Sequence, residues 1–160
     1  MLIDIFYQPI YQYLRRFCGN RQDAEDLTQD TFVKVWSSLE SYNSRFKFTT
    51  WIYTIAYRVY IDWQLKNSRN TICHNNRWWQ DNESGTFTNV VERQIAQRLY
   101  EAVDQLGEDK KHVVYLHYYQ GLSITETAKV LNIATSTVKY RLREVFKILR
   151  EKLNFEEKEK

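Results

Sequence analysis

Apolar residues recur at helical spacing along most of the chain. In residues 2–17, Ile3, Ile10, Leu14 and Phe17 lie near one stripe that Pro9 is expected to interrupt, and Gly19 with Asn20 closes the segment. A second helix is expected over residues 21–39. Asn20 is a good N-cap there, and Asp23, Glu25 and Asp26 set negative charge against the positive end of the helix dipole. Leu27, Val35 and Leu39 serve the core side of that helix, which leaves Asp26, Gln29, Asp30 and Val33 as a separate, acidic and partly apolar stripe. After a loop at 40–47, a third helix from about 48 to 65 turns Ile52, Ile55, Ala56, Val59 and Trp63 inward, and Trp51 is read as a core aromatic. Residues 67–89 are polar and aperiodic and are read as a linker, although Trp78, Trp79 and Phe87 suggest that it packs on something. Helical pattern resumes over 90–106, breaks at Gly107 and continues over 108–119.

The clearest local signal lies beyond Gly121. Ser123 with Glu126 three residues on is a capping pair, so hydroxyl and carboxylate each satisfy a backbone N–H at a helix start. Ile124, Ala128 and Leu131 share one face, Asn132 suits the left-handed residue that ends a helix, and Ile133 plugs the corner. The next helix carries Val138, Leu142, Phe146, Leu149 and Leu153 on a packing face and Lys139, Arg143, Lys147 and Arg150 on a basic one. This is the pattern of a helix-turn-helix, whose second helix enters the DNA major groove with its N-terminal residues at the base edges. Those residues are Thr135, Ser136, Thr137, Lys139, Tyr140 and Arg141. A surface helix pair with ordinary solvated cations is the plainer alternative.

Composition narrows the class. With 43% hydrophobic residues but only 4 Gly and 1 Pro in 160 residues, the chain suits an all-α fold rather than turn-rich sheets. Its net charge of +3 is modest, but residues 134–154 hold six Lys or Arg against two Glu, so the basicity is local. No apolar run approaches the roughly 20 residues that span a bilayer, and no signal peptide opens the chain, so a cytoplasmic protein without membrane insertion is expected. Cys18 and Cys73 lack C-x-x-C spacing and are expected as reduced thiols, and His74, His112 and His117 lack ligand spacing, so neither metal nor cofactor is expected. No catalytic motif occurs, and the chain is not expected to be an enzyme. The 40–47 loop mixes aromatics with Arg45 and Lys47, the combination that single-stranded DNA prefers, with aromatic faces for bases and cations for phosphates.

Three ordered motifs resemble the extracytoplasmic-function sigma factors, specificity subunits of bacterial RNA polymerase. The string Asp23-Ala24-Glu25-Asp26-Leu27-Thr28-Gln29-Asp30-Thr31-Phe32 is similar to the D-A-E-D-L-x-Q-E-x-F of region 2.2, with Asp30 for Glu. Phe48-x-x-Trp51-Ile52-Tyr53-x-Ile55-Ala56 is similar to F-x-x-W-L-x-x-I-A in regions 2.3 and 2.4. Gly121-Leu122-Ser123 and Thr137-Val138-Lys139-Tyr140-Arg141-Leu142 are similar to the G-L-S and T-V-K-S-R-L landmarks of region 4.2. The resemblance implies two small helical domains: region 2 at 1–67 and region 4 at 90–155, with a linker at 68–89 and a charged tail at 156–160. It assigns core-polymerase docking to Asp23, Asp26, Gln29, Asp30 and Val33. It assigns the -10 promoter element to Tyr42, Asn43, Ser44, Arg45, Phe46, Lys47, Tyr57 and Arg58. The -35 duplex falls to Thr135, Ser136, Thr137, Lys139, Tyr140, Arg141, Arg143 and Lys147, with Lys139, Arg143 and Lys147 on phosphates. Ser44 stands where a loop glycine is usual and Arg58 where an Asn is common, which bears on which base the loop captures. The family is commonly held inactive by an anti-sigma factor, so core RNA polymerase, promoter DNA and an anti-sigma factor are the expected partners. A stand-alone helix-turn-helix regulator is the alternative, and it has no need of the acidic stripe or the aromatic, basic loop.

Overall fold

The computed structural model describes residues 2–68 and 90–154. Most of the expected linker, with Cys73, His74, Trp78, Trp79 and Phe87, and the tail from residue 155 lie outside the described residues. The described chain forms α1 (Leu2–Phe17), α2 (Arg21–Ser37), α3 (Phe48–Asn67), α4 (Val90–Asp104), α5 (Glu108–Val114), α6 (Ile124–Leu131) and α7 (Thr135–Asn154). A short 3-10 turn at Leu39–Ser41 and a π-helical turn at Tyr115–Tyr119 complete it, and no strand occurs among the described residues. The all-α expectation holds.

Pro9 does not interrupt α1 as expected, because the helix runs straight through it. An interior proline forfeits a backbone hydrogen bond and costs about 3 kcal/mol. Ile10, Tyr13 and Leu14, all fully buried just beyond it, offset that cost at about 1.5–3 kcal/mol for each large apolar side chain. Ile3 is exposed rather than part of the buried stripe. The first turns of α1 pack instead through Phe6 against Phe48 and Tyr7 against Phe32.

In α2 the Asn20 side chain accepts the Asp23 N–H at 2.8 Å, as its cap position requires. Leu27 and Val35 are buried. Thr28 and Thr31 join them because their hydroxyls donate to the carbonyls of Ala24 and Leu27 at 2.6 and 2.7 Å, which satisfies the polar atom inside the core. Leu39, expected on the core side, is exposed because the helix stops at Ser37 and Leu39 belongs to the following 3-10 turn. On α3, Ile52, Ala56 and Val59 are buried as expected, and Ile55, Trp63 and Trp51 pack at the edge of the core.

The helix-turn-helix forms as its residues dictate. Ser123 and Glu126 make the full capping box, and Asn132 ends α6 in the left-handed conformation at φ 53°. The Ile133 N–H then returns to the Ala128 carbonyl at 3.0 Å. Val138, Leu142 and Val145 bury one face of α7, with Leu149 half-buried. Phe146 and Leu153 were expected on that face and are exposed. The packed stripe advances by four, three and four residues, so Phe146 falls about 100° beyond Val145 on the flank of the helix.

The two helical halves share one hydrophobic cluster. Helix α3 packs on α6, and polar contacts stitch the seam. The Tyr53 hydroxyl donates to Gln120 at 2.6 Å, the Tyr60 hydroxyl to Glu108, and the Gln64 amide to the same carboxylate at 2.6 Å. Arg16 crosses the seam as well, 3.3 Å from Asp104 and with its guanidinium 4.2 Å above the Tyr115 ring.

Candidate nucleic-acid and docking surfaces

Three surfaces emerge from these helices. On α2, Asp26, Gln29, Asp30 and Val33 are exposed together, while Asp23 is half-buried and accepts from the Asn20 amide at 2.7 Å. Trp36 extends this row and escaped the sequence reading. It is 76% exposed and Val33 is 67% exposed, one turn apart, and the available signal in the sequence was an indole three residues beyond Val33. Carboxylates beside an apolar ridge suit a basic, partly apolar protein surface.

The loop after α2 is shaped by its own polar groups. The Asn43 side chain accepts the Arg45 N–H at 3.0 Å, the Phe46 N–H returns to the Asn43 carbonyl at 3.0 Å, and the Tyr42 hydroxyl donates to the Phe46 carbonyl at 2.6 Å. Tyr42 itself is wedged against Phe48 and Trp51, with ring centroids 5.4 and 5.0 Å away. Asn43, Ser44 and Arg45 stand in solvent. Phe46 and Lys47 reach α6: Lys129 Nζ lies 3.6 Å from the Phe46 ring centroid, and Lys47 Nζ lies 3.0 Å from Glu126. Arg58 is exposed on α3, whereas Tyr57 is half-buried, edge-on to the His112 ring at 5.1 Å. The structure therefore groups 42–47 with α6 and turns Tyr57 toward the seam.

On α7, Thr135, Ser136, Lys139, Tyr140, Arg143 and Lys147 are exposed and Thr137 is half-buried. Arg141 differs from them, because its guanidinium lies 3.4 Å from Asp109 on α5 and its side chain is only 23% exposed. Arg143, Phe146, Lys147, Arg150 and Glu151 line an open groove along the same helix. Cations around an aromatic on an open helical face suit a polyanion.

Behind these surfaces His112 sits in a cage of Tyr13, Phe17, Tyr57 and Tyr60, stacked on Phe17 at 3.8 Å and bonded to the Tyr13 hydroxyl at 2.9 Å. Burial, reinforced by nearby Arg141 and Lys111, lowers its pKa to about 3, so it is neutral at physiological pH. Burial likewise pushes the Cys18 thiol up to about 12, which makes it a poor nucleophile. Among the described residues no group of three His, Cys, Asp or Glu side chains stands close enough to hold a metal ion.

Residues 2–70 match the sigma-70 region 2 family, and residues 96–149 match sigma-70 region 4. The two matches together define a two-region protein of the sigma-70 class. The chain is 31% identical over 156 residues to the ECF RNA polymerase sigma factor SigX of Bacillus subtilis, covering 94% of this chain and 80% of that one. It is 26% identical over 166 residues to SigW of the same organism, with 95% and 87% covered. In fold it is similar to the sigma factor RpoE of Bartonella quintana, solved with the anti-sigma factor NepR, at a TM-score of 0.72 and 20% identity over 95% of this chain and 94% of that one. CnrH, solved with the cytosolic domain of CnrY, aligns at a TM-score of 0.65 and 22% identity over 96% and 85%. The chain belongs to the extracytoplasmic-function sigma factors, and it is an alternative sigma factor for transcription initiation.

Proposed function

We propose that this protein, without catalysing a reaction itself, binds core RNA polymerase through the α2 face and directs it to promoters. It reads -35 duplex with the start of α7 and captures the melted -10 strand with the 42–47 loop and α3. The observation that carries the reading is the exposed row Thr135, Ser136, Lys139, Tyr140, Arg143 and Lys147 on the second helix of a capped helix-turn-helix. Exposed Asp26, Gln29, Asp30 and Val33 support the polymerase-docking role, since a stand-alone regulator has no use for them. The protein acts in the cytoplasm with the polymerase, and no helix among the described residues is long and apolar enough to cross a membrane. An anti-sigma factor restrains it, as two proteins of similar fold are solved with such partners or with a cytosolic partner domain. Run-off transcription by core polymerase with this protein on a promoter library tests the proposal. Selective transcripts that need the added protein are expected, and none above core enzyme alone refutes it.

A further inference from the structure

Among the tryptophans of the described residues, Trp51 and Trp63 pack at the edge of the core, but Trp36 stands in solvent on the last turn of α2. That turn is not a frayed end, because Val35 beside the indole is buried and fixes the backbone that carries it. At about 100° per residue, Trp36 falls roughly 20° from Gln29 and about 60° from Val33 around the helix, on the border of the acidic row. Lys34, which reaches Asp62 on α3 at 3.5 Å, falls about 160° from it, so the indole points away from α3 and from exposed Arg58. On the other flank, Tyr7 of α1 stacks on Phe32 with ring centroids 5.8 Å apart. Helices α1 and α2 run antiparallel, so exposed Ile3, one turn before Tyr7, stands level with Trp36, one turn after Phe32. Ile3, Val33 and Trp36 thus form an apolar ridge beside Asp26 and Asp30. The cations of α2 do not neutralise that row, since Arg21 pairs with Glu25 at 2.7 Å and Lys34 with Asp62. Charge complementarity calls for a basic partner, and the ridge calls for an apolar pocket among its cations.

We propose that Trp36 is the residue that holds core RNA polymerase on this face: Asp26 and Asp30 steer the encounter, and the indole, backed by Val33, seats in an apolar pocket of the polymerase and sets the lifetime of the complex. The inference rests on the reading of α2 as the polymerase-docking face. It deepens that reading by dividing the work between charge and indole. Exposed carboxylates act across a Debye length and speed association, but water and salt screen them once the surfaces have met. A tryptophan brings a large apolar area with only two torsions to freeze, and on a helix already fixed by the core it loses little further freedom on docking. Affinity at one interface is tuned mostly through dissociation, and that is where the indole acts.

The test follows association and dissociation of the full chain with core RNA polymerase by biolayer interferometry. Trp36→Ala changes an exposed helical position to a good helix former, so circular dichroism should be unchanged. It should speed dissociation at least about thirtyfold, the threshold that marks the dominant residues of an interface, and alter association by less than about twofold. Trp36→Phe keeps a ring and should recover most of the lifetime. Asp26→Asn with Asp30→Asn should slow association about tenfold at low salt, with the deficit shrinking as salt rises, and leave dissociation close to wild type. If the Asn pair slows association while Trp36→Ala dissociates like wild type, the anchor is overturned and the docking reading stands. If neither variant changes either rate, the docking face is elsewhere and the anchor goes with it. A Trp36→Ala protein that holds core polymerase like wild type but binds a random pool of single-stranded oligodeoxynucleotides more weakly would make the indole a base-stacking residue, which also overturns the proposal.

Discussion

Helix α7 holds Lys139, Tyr140, Arg143 and Lys147 in solvent, whereas the 42–47 loop has Phe46 and Lys47 engaged by α6. The difference follows from what anchors each surface. Val138, Leu142 and Val145 bury the opposite face of α7, so the backbone that carries its cations is fixed by the core whether or not DNA is present. Within the loop every residue from 43 to 47 is exposed, and its ring and ammonium take whatever partner of suitable chemistry lies near. A surface meant for a rigid duplex can be preformed at no cost in exposed apolar area. One suited to an unpaired strand needs an exposed aromatic, and Phe46 is 50% exposed with Lys129 Nζ lying over its ring.

The comparison between open and engaged surfaces is broken most severely on α2, which is open like α7 but acidic. Reversing Asp26 and Asp30 to Lys should lower affinity for core polymerase by about a hundredfold, the scale of setting like charges against each other in an interface. Both side chains are exposed, so circular dichroism should be unchanged. Pull-down of core enzyme equal to wild type would move the docking face elsewhere.

Next in size is the loop itself. Phe46→Ala removes a stacking face worth about 1–3 kcal/mol per base, so stable open promoter complexes should fall by roughly five- to a hundredfold. Binding to -35 duplex should barely change. Permanganate reactivity of the promoter measures the first and a duplex gel shift the second; a parallel fall in both would mean that the two surfaces do not act separately.

Legibility in the sequence followed the same division. The capping box at Ser123 and Glu126, the left-handed Asn132 and the Asn20 cap are local chemistry, settled by residues three or four apart, and each formed as its sequence predicts. Pro9, Leu39 and Phe146 were misplaced because their surroundings depend on distant packing: the burial of Ile10 and Leu14, the early end of α2, and the phase of the Val138–Leu142–Val145 stripe. The seam was invisible for a stronger version of that reason. Tyr13 and His112 are 99 residues apart, and nothing in the spacing of either announces the other. Arg141 reads as one of a row of cations until Asp109 on another helix is known to face it.

Acid should sharpen the comparison by loosening the seam. Neutral His112 is caged by Tyr13, Phe17, Tyr57 and Tyr60 with Arg141 and Lys111 nearby, and its pKa is about 3 against an ordinary 6.5. Opening or unfolding hydrates the ring and lets it take up a proton. The contribution of its burial is therefore complete above about pH 6.5 and declines as pH falls toward 3, by up to about 1.4 kcal/mol per pH unit. Urea midpoints should drop from pH 7 to pH 5 in wild type, and His112→Phe should flatten that slope, since it keeps the stack on Phe17 without the titrating ring. An equal slope in the variant would show that burial of the His112 ring is not the source of the acid sensitivity.

The smallest effects lie within α7, where the open and the engaged cation can be set side by side. Lys147 is exposed in the groove with Arg143 and Phe146, and Lys147→Ala should weaken every duplex alike and lower the salt dependence of binding by about one released ion. Arg141 is tied to Asp109 at 3.4 Å, a pair whose carboxylate is 47% exposed, so solvent screening limits its strength to at most about 1 kcal/mol. Asp109→Asn releases the guanidinium without touching α7. If Arg141 reads a base, the release should tighten binding to the preferred -35 sequence by a factor of up to about five and leave scrambled duplex unchanged. Equal tightening on both would make Arg141 a phosphate contact like Lys147, and the recognition helix would then read sequence through Thr135, Ser136 and Tyr140 alone.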